Sequence, residues 1–337
     1  MLNLQRMKEI DTSEMYKVYD DWPKIAEESF DADLEQLEYK NVDNIVFAGM
    51  GGSGSIGDIF TSILSKTELH STTVKGYLLP NTINKNSLVV ISSVSGNTTE
   101  VHNILQSANK KKIRVVCFSS GGIIEKYCKK NHITHKQIDK IHSPRASFTK
   151  FLYSILKILQ PNIPIRNDNV SESIKELKKL GSKINSKNIN NENQSLTIAE
   201  WITDIPLIYY PWGLQAAAIR FKNSLQENAK THAIAEDVLE ASHNGIVSWE
   251  RKSKIKPILI QGKDDYIKTK ERWNIFKEYF NKNNIEFKEI YTKGDNILSK
   301  LTYLIYLSDY CSIYRSVLSN IDPSPVSSID FNKKKIQ

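Results

Sequence analysis

Two short turns rich in glycine and hydroxyl side chains constrain this chain more than any other feature: Gly49-Met50-Gly51-Gly52-Ser53-Gly54 and Ser93-Val94-Ser95-Gly96-Asn97-Thr98. Each follows an apolar, β-branched run, residues 44–48 and 88–92, and each precedes residues with helical spacing. Such a pattern places both turns between strand and helix, at the carboxyl edge of a parallel sheet. Backbone N–H groups at the two helix starts, with small hydroxyls beside them, would then face one crevice and hold an anion, most simply a phosphate ester.

The alternation of strand and helix continues along the chain. Strands are expected over 71–77, 87–92 and 113–118, helices over 53–64, 98–109 and 123–130, and an apolar helix over 147–159 after the break at Ser143-Pro144-Arg145. Residues 11–40 read as one or two amphipathic helices, with Trp22, Ile25, Ala26 and Phe30 on a face that packs against the first sheet. Pro161 and Pro164 close this half, and the Asn-, Ser- and Lys-rich stretch that follows contains one amphipathic helix. A second alternation runs from a strand over 205–210 through Pro211-Trp212-Gly213 into a helix over 214–231. Strands over 257–261 and 285–290 flank a helix over 269–280, and a closing helix covers 296–319. The expected fold is α/β: two doubly wound parallel-sheet domains, each a flavodoxin-like α-β-α sandwich, over residues 1–160 and 196–337, joined by a linker over 161–195.

Composition excludes several classes. The chain of 337 residues is long enough for two cores. Its formal charge of +8 comes from lysines scattered among Asn and Ile without interleaved stacking aromatics, which describes a solvated surface and no nucleic-acid partner. The three cysteines, Cys117, Cys128 and Cys311, form no CxxC pair, which speaks for a reducing compartment and against a disulfide or zinc framework. No signal-peptide core and no apolar run of about 20 residues occurs, so a cytoplasmic protein without a membrane partner is expected.

The first turn also fits G-x-G-x-x-G through Gly49, Gly51 and Gly54, the dinucleotide-binding pattern. That pattern calls for an acidic residue at the end of the next strand, whereas this strand ends Lys75-Gly76-Tyr77. A second hydroxyl-rich turn suits a sugar phosphate better, and no nucleotide cofactor is expected.

The two turns, with Asp58 and Ser143-Pro144-Arg145-Ala146, resemble the first domain of the sugar isomerase (SIS) fold. Three further stretches resemble one branch of it, the bifunctional phosphoglucose/phosphomannose isomerases of archaea and some bacteria. They are Arg220-Phe221-Lys222-Asn223-Ser224-Leu225-Gln226-Glu227-Asn228-Ala229-Lys230, then Ser242-His243-Asn244, then Asp322-Pro323-Ser324-Pro325-Val326. The resemblance runs in order over nearly the whole chain. It implies an isomerase of glycolysis and gluconeogenesis acting on hexose 6-phosphates, two SIS domains, and a homodimer with shared active sites. It also implies a mechanism that needs no metal and no cofactor.

Chemistry explains the residue types. Interconverting an aldose with a ketose moves a proton between C2 and C1 through an enediol, which calls for a carboxylate in a partly dry site; Glu227 is the candidate. The plain alternative for Glu227 is a surface glutamate paired with Lys230. His243 is the candidate for ring opening, and the resemblance implies that it reaches the site from the partner subunit. Arg145 stands where the family keeps an arginine, suited to stabilising the enediolate oxygen. The resemblance also puts a C-terminal lysine in the site; Lys333 fits best by position, with Lys334 and Lys335 adjoining it. Gly52, Ser53, Ser93, Ser95 and Thr98 would take the phosphate, unless the hydroxyls only cap their helices. His132, His135 and His142 read as structural or exposed. The alternative from another class is a phosphosugar-sensing SIS protein that binds without turnover.

Overall fold

Burial without interruption marks the centre of the first sheet. The structure, a computed structural model, describes residues 2–336. Every residue of β1 (Asn44–Ala48) and β3 (Ser87–Ser93) is buried, as a strand covered on both faces must be. β1 and β3 pair in parallel, flanked by β2 (His70–Val74), β4 (Arg114–Ser119) and β5 (Thr134–Gln137) in the order β2-β1-β3-β4-β5. This is the doubly wound, flavodoxin-type order, which reverses direction between β1 and β3. Val46 and Ala48 face a core shared with Ile104 and Leu105 of the Thr99–Lys110 helix and Ile124 and Cys128 of the Gly122–Asn131 helix. Phe47 points to the other face and stacks on Phe60 of the Gly51–Leu64 helix, with ring centroids 5.1 Å apart.

The second sheet joins β6 (Pro206–Tyr210), β7 (Ile234–Asp237), β8 (Lys256–Gln261) and β9 (Lys288–Tyr291) in the order β7-β6-β8-β9, all parallel. It repeats the first four positions of the first sheet. Its core is aromatic: Phe280 of the Ile267–Lys282 helix lies against Trp249, Phe276 and Tyr209, with Leu259 beneath. Both parallel α/β sheets match the expected architecture. β5 and β7, each four residues long, are additions to the strands expected from the sequence.

The chain divides into two compact units at places other than 160 and 195. One contains Asp21–Lys175 and Asn296–Ser299; the other contains the residues up to Asp20, Glu176–Asp295, and the residues from Lys300 onward. Residues 2–20 therefore group with the second sheet, not the first. Their attachment is specific: the Tyr306 hydroxyl donates to the Tyr19 carbonyl at 2.8 Å, and Tyr310 to Asp20 at 2.5 Å. The Trp22–Asp31 helix stays with the first sheet, where Trp22 stacks on Phe148 at 5.8 Å and donates to the Ala146 carbonyl at 3.2 Å. The stretch read as a linker is mainly one helix, Asn167–Ile184, whose apolar positions Val170, Leu177 and Ile184 recur every seven residues and are buried.

Candidate active site

The first-sheet unit brings three of the expected phosphate ligands together. Ser93 and Thr98 hydroxyls lie 2.9 Å apart, and the Ser53 hydroxyl accepts from the Val94 N–H at 3.3 Å, so the turns after β1 and β3 are joined directly. Neither helix that follows has a side-chain cap: Met50 precedes Gly51–Leu64, and Thr98, at the cap position of Thr99–Lys110, makes no capping bond. Among the described residues, the first N–H groups of both helices are thus left without a side-chain acceptor, at adjacent strands where the sheet changes direction. Ser95 is half-buried and its oxygen accepts from Asn97 N–H at 3.3 Å; Gly52 is half-buried in the first helical turn. Asp58 lies one turn further on, paired with Lys75 at 2.5 Å; burial pushes its carboxyl up and the lysine opposes that shift. Arg145 is almost wholly buried in the turn that opens the Phe148–Ile158 helix.

The second-sheet unit holds Glu227, His243 and Lys333. Glu227 is the penultimate residue of the Gln215–Asn228 helix and half-buried. A polar seam fixes that helix. Arg220, fully buried, meets the buried Asp309 carboxylate at 2.6 Å, Ser224 donates to the same carboxylate at 2.5 Å, and Asn228 donates to Ser312 at 2.8 Å. Positions 220, 224 and 228 share one helical face, so helix rotation is locked and Glu227 is aimed by its neighbours. Burial pulls the Arg220 guanidinium down, but the facing Asp309 carboxylate, with smaller help from Tyr19 and Glu227, outweighs it and the group stays charged.

Lys230 adds a clasp that sequence reading missed. It adopts a left-handed conformation, φ 53°, just past the helix end. Its ammonium donates to the carbonyls of Glu227 at 2.8 Å, Asn228 at 3.3 Å, Asp322 at 3.4 Å and Pro323 at 3.3 Å. The end of the helix bearing Glu227 is thereby tied to the Asp322-Pro323 segment that leads into the Ser327–Ile336 helix. Lys333 lies on that helix and is exposed, and His243 is exposed after the short Val238–Ala241 helix. Neither side chain makes a hydrogen bond or ion pair among the described residues.

Residues 191–336 match the model of the bacterial phospho-glucose isomerase C-terminal SIS domain. The chain as a whole resembles the bifunctional phosphoglucose/phosphomannose isomerases. The protein of that name from Caldicellulosiruptor bescii is 28% identical over 313 residues, covering 89% of this chain and 91% of the relative. The one from Aquifex aeolicus is 27% identical over 338 residues, covering 96% and 98%. Among solved structures, a hypothetical protein of Thermus thermophilus superposes with a TM-score of 0.74 over 98% of this chain and 93% of that one, at 11% identity. At that identity the likeness is one of fold.

Proposed function

We propose that the protein is an aldose-ketose isomerase that interconverts glucose 6-phosphate and mannose 6-phosphate with fructose 6-phosphate. The observation that carries this reading is the pair of joined, hydroxyl-bearing turns opening two uncapped helices at one sheet edge, a ready seat for a phosphate dianion. Relatives that span nearly the whole chain and bear the bifunctional isomerase name support the choice of substrate.

In this reading Gly52, Ser53, Ser93, Ser95 and Thr98 hold the phosphate. His243 of the partner subunit in a homodimer passes a proton to the ring oxygen as the C1–O5 bond breaks and the O1 hydroxyl gives its proton to solvent, which opens the ring to the aldehyde. Glu227 then removes the C2 proton of the aldose while O1 gains a proton, giving an enediol. The O2 proton leaves and Glu227 returns its proton to C1, which yields the ketose. Arg145 and Lys333 stabilise the negative oxygen that develops between these steps. Delivery of a proton to either face of C2 on the return path gives glucose or mannose 6-phosphate from the same enediol. Three free, buried cysteines suit a reducing cytoplasm.

The test is a coupled assay with fructose 6-phosphate as substrate, run with and without a chelator. Formation of both aldose phosphates, unchanged by the chelator, is expected. Binding of fructose 6-phosphate without formation of either product would overturn the isomerase reading in favour of a sensing protein.

A further inference from the structure

The turn that would receive the phosphate is itself moulded by a second turn. The backbone of residues 94–97 is bonded to residues 120–124: Ser120 N–H donates to the Val94 carbonyl at 3.3 Å, Ile124 N–H to the Gly96 carbonyl at 3.0 Å, and Ile123 N–H to the Asn97 side-chain oxygen at 3.1 Å. Nothing separates the two backbones. A Cβ on Gly96 would lie 1.8 Å from the Gly121 carbonyl oxygen, and one on Gly122 would lie 2.6 Å from the Gly96 carbonyl oxygen. The conformation of Gly121, φ 127° and ψ −137°, therefore decides where residues 94–97 sit.

Ser119, buried at the end of β4, holds that conformation. Its hydroxyl donates to the Gly121 carbonyl at 2.9 Å and accepts from the Gly121 N–H at 3.2 Å, so both backbone groups of one residue close on one oxygen. The remaining lone pair faces Nε2 of His135 at 2.8 Å. With the hydroxyl proton committed to Gly121, the imidazole must carry its hydrogen on Nε2 and donate; every valence of the serine oxygen is then used. Burial lowers the basicity of His135, while Glu125 and Lys129 of the Gly122–Asn131 helix act on it in opposite directions.

We propose that Ser119 and His135 are positioning residues that set the shape of the second phosphate-binding turn, and with it the affinity of the site for a phosphate group. The proposal rests on the phosphate assignment above and not on the isomerisation itself. His135 acts through Ser119, Ser119 through Gly121, and Gly121 through Gly96. No step of the chain requires contact with the ligand.

The experiment measures binding of inorganic phosphate by calorimetry, and of fructose 6-phosphate by turnover, in the full chain, three single variants and the double variant that joins Ser119→Ala to His135→Leu. His135→Leu removes the donor, Ser119→Ala removes the acceptor, and His135→Gln restores an N–H donor at a similar reach. His135→Leu is expected to weaken phosphate binding and raise KM by about five- to tenfold, as loss of one part-buried hydrogen bond predicts, and Ser119→Ala, which removes all three bonds of that hydroxyl, by at least as much, with kcat within about twofold in both. His135→Gln is expected to recover most of that loss, and the double variant to be no weaker than the worse single one. Should His135→Leu fail to fold, Ser119→Ala, which removes one atom, decides alone. Unchanged phosphate affinity in either folded variant, an equal loss in His135→Gln, or no phosphate binding by the unaltered protein would overturn the proposal. Phosphate binding that follows the expected pattern without turnover would leave it standing and overturn the isomerase reading instead.

Discussion

The two sheets share a strand order and differ at the edge where ligands of such folds bind. After β1 and β3 the turns leave N–H groups and hydroxyls without a side-chain cap. After β8, at the corresponding place in the second sheet, the chain supplies its own anion: the Asp265 carboxylate accepts from the Gly262 N–H at 3.0 Å and from the Trp273 indole at 3.1 Å. The turn after β6, Pro211-Trp212-Gly213, carries no hydroxyl. A doubly wound sheet provides the crevice; the side chains in its turns decide whether an external phosphate or an internal carboxylate fills it. In the proposed reading the first unit binds the phosphate, whereas the second offers Glu227 on a helix fixed by buried polar contacts.

That division can be broken or sharpened. Arg220→Met should have the largest effect, because it leaves the Asp309 carboxylate buried without its cation; a loss of about 3–5 kcal/mol of stability is expected in denaturant unfolding. A smaller loss would mean that the seam does not fix the helix. Next comes Ser93→Ala combined with Thr98→Val. It should raise KM for fructose 6-phosphate about tenfold and spare kcat, with steady-state kinetics as the check.

Lys230→Met should do the reverse and lower kcat about fivefold with little change in KM, since it loosens the end of the helix under Glu227 but touches no phosphate ligand. Asp265→Asn should have the smallest effect. Burial raises the Asp265 carboxyl above its ordinary value, so the folded chain holds that proton more tightly than the unfolded chain. Stability from this group is accordingly greatest below the ordinary carboxylate range and declines as pH rises through the folded value. The asparagine variant should melt with the unaltered protein at low pH and about 1–2 °C above it at neutral pH. A lower melting point at neutral pH would show that the charge, and not merely an acceptor, is needed at Gly262.

Much of this was legible in the chain, for identifiable reasons. β1, β3, β6 and β8 are runs of buried apolar residues, and the turns after β1 and β3 declare themselves by glycine and hydroxyl content. β5, Thr-His-Lys-Gln, and β7, Ile-Ala-Glu-Asp, are polar four-residue edge strands whose pairing comes from one neighbour, β4 and β6 respectively, so no apolar period marks them. Residues 2–20 read as part of the first domain because adjacency in sequence suggested it; the hydrogen bonds of Tyr19 and Asp20 reach Ser186, Tyr306 and Tyr310, 166 to 290 positions away. Lys230 was visible only as a charge near Glu227, since its acceptors are backbone carbonyls, which leave no mark in a sequence. His135 is set beside Ser119 only by the pairing of β5 with β4, a long-range contact that its sequence neighbours do not announce.

The division of labour between binding and proton transfer is tested most directly by Glu227→Gln, with fructose 6-phosphate binding measured by calorimetry and turnover measured in the same preparation. Removing the base but not its shape should lower kcat by about 10²–10⁴-fold and leave the binding constant within about threefold. Turnover at the unaltered rate would contradict the account, and so would loss of binding in step with loss of turnover.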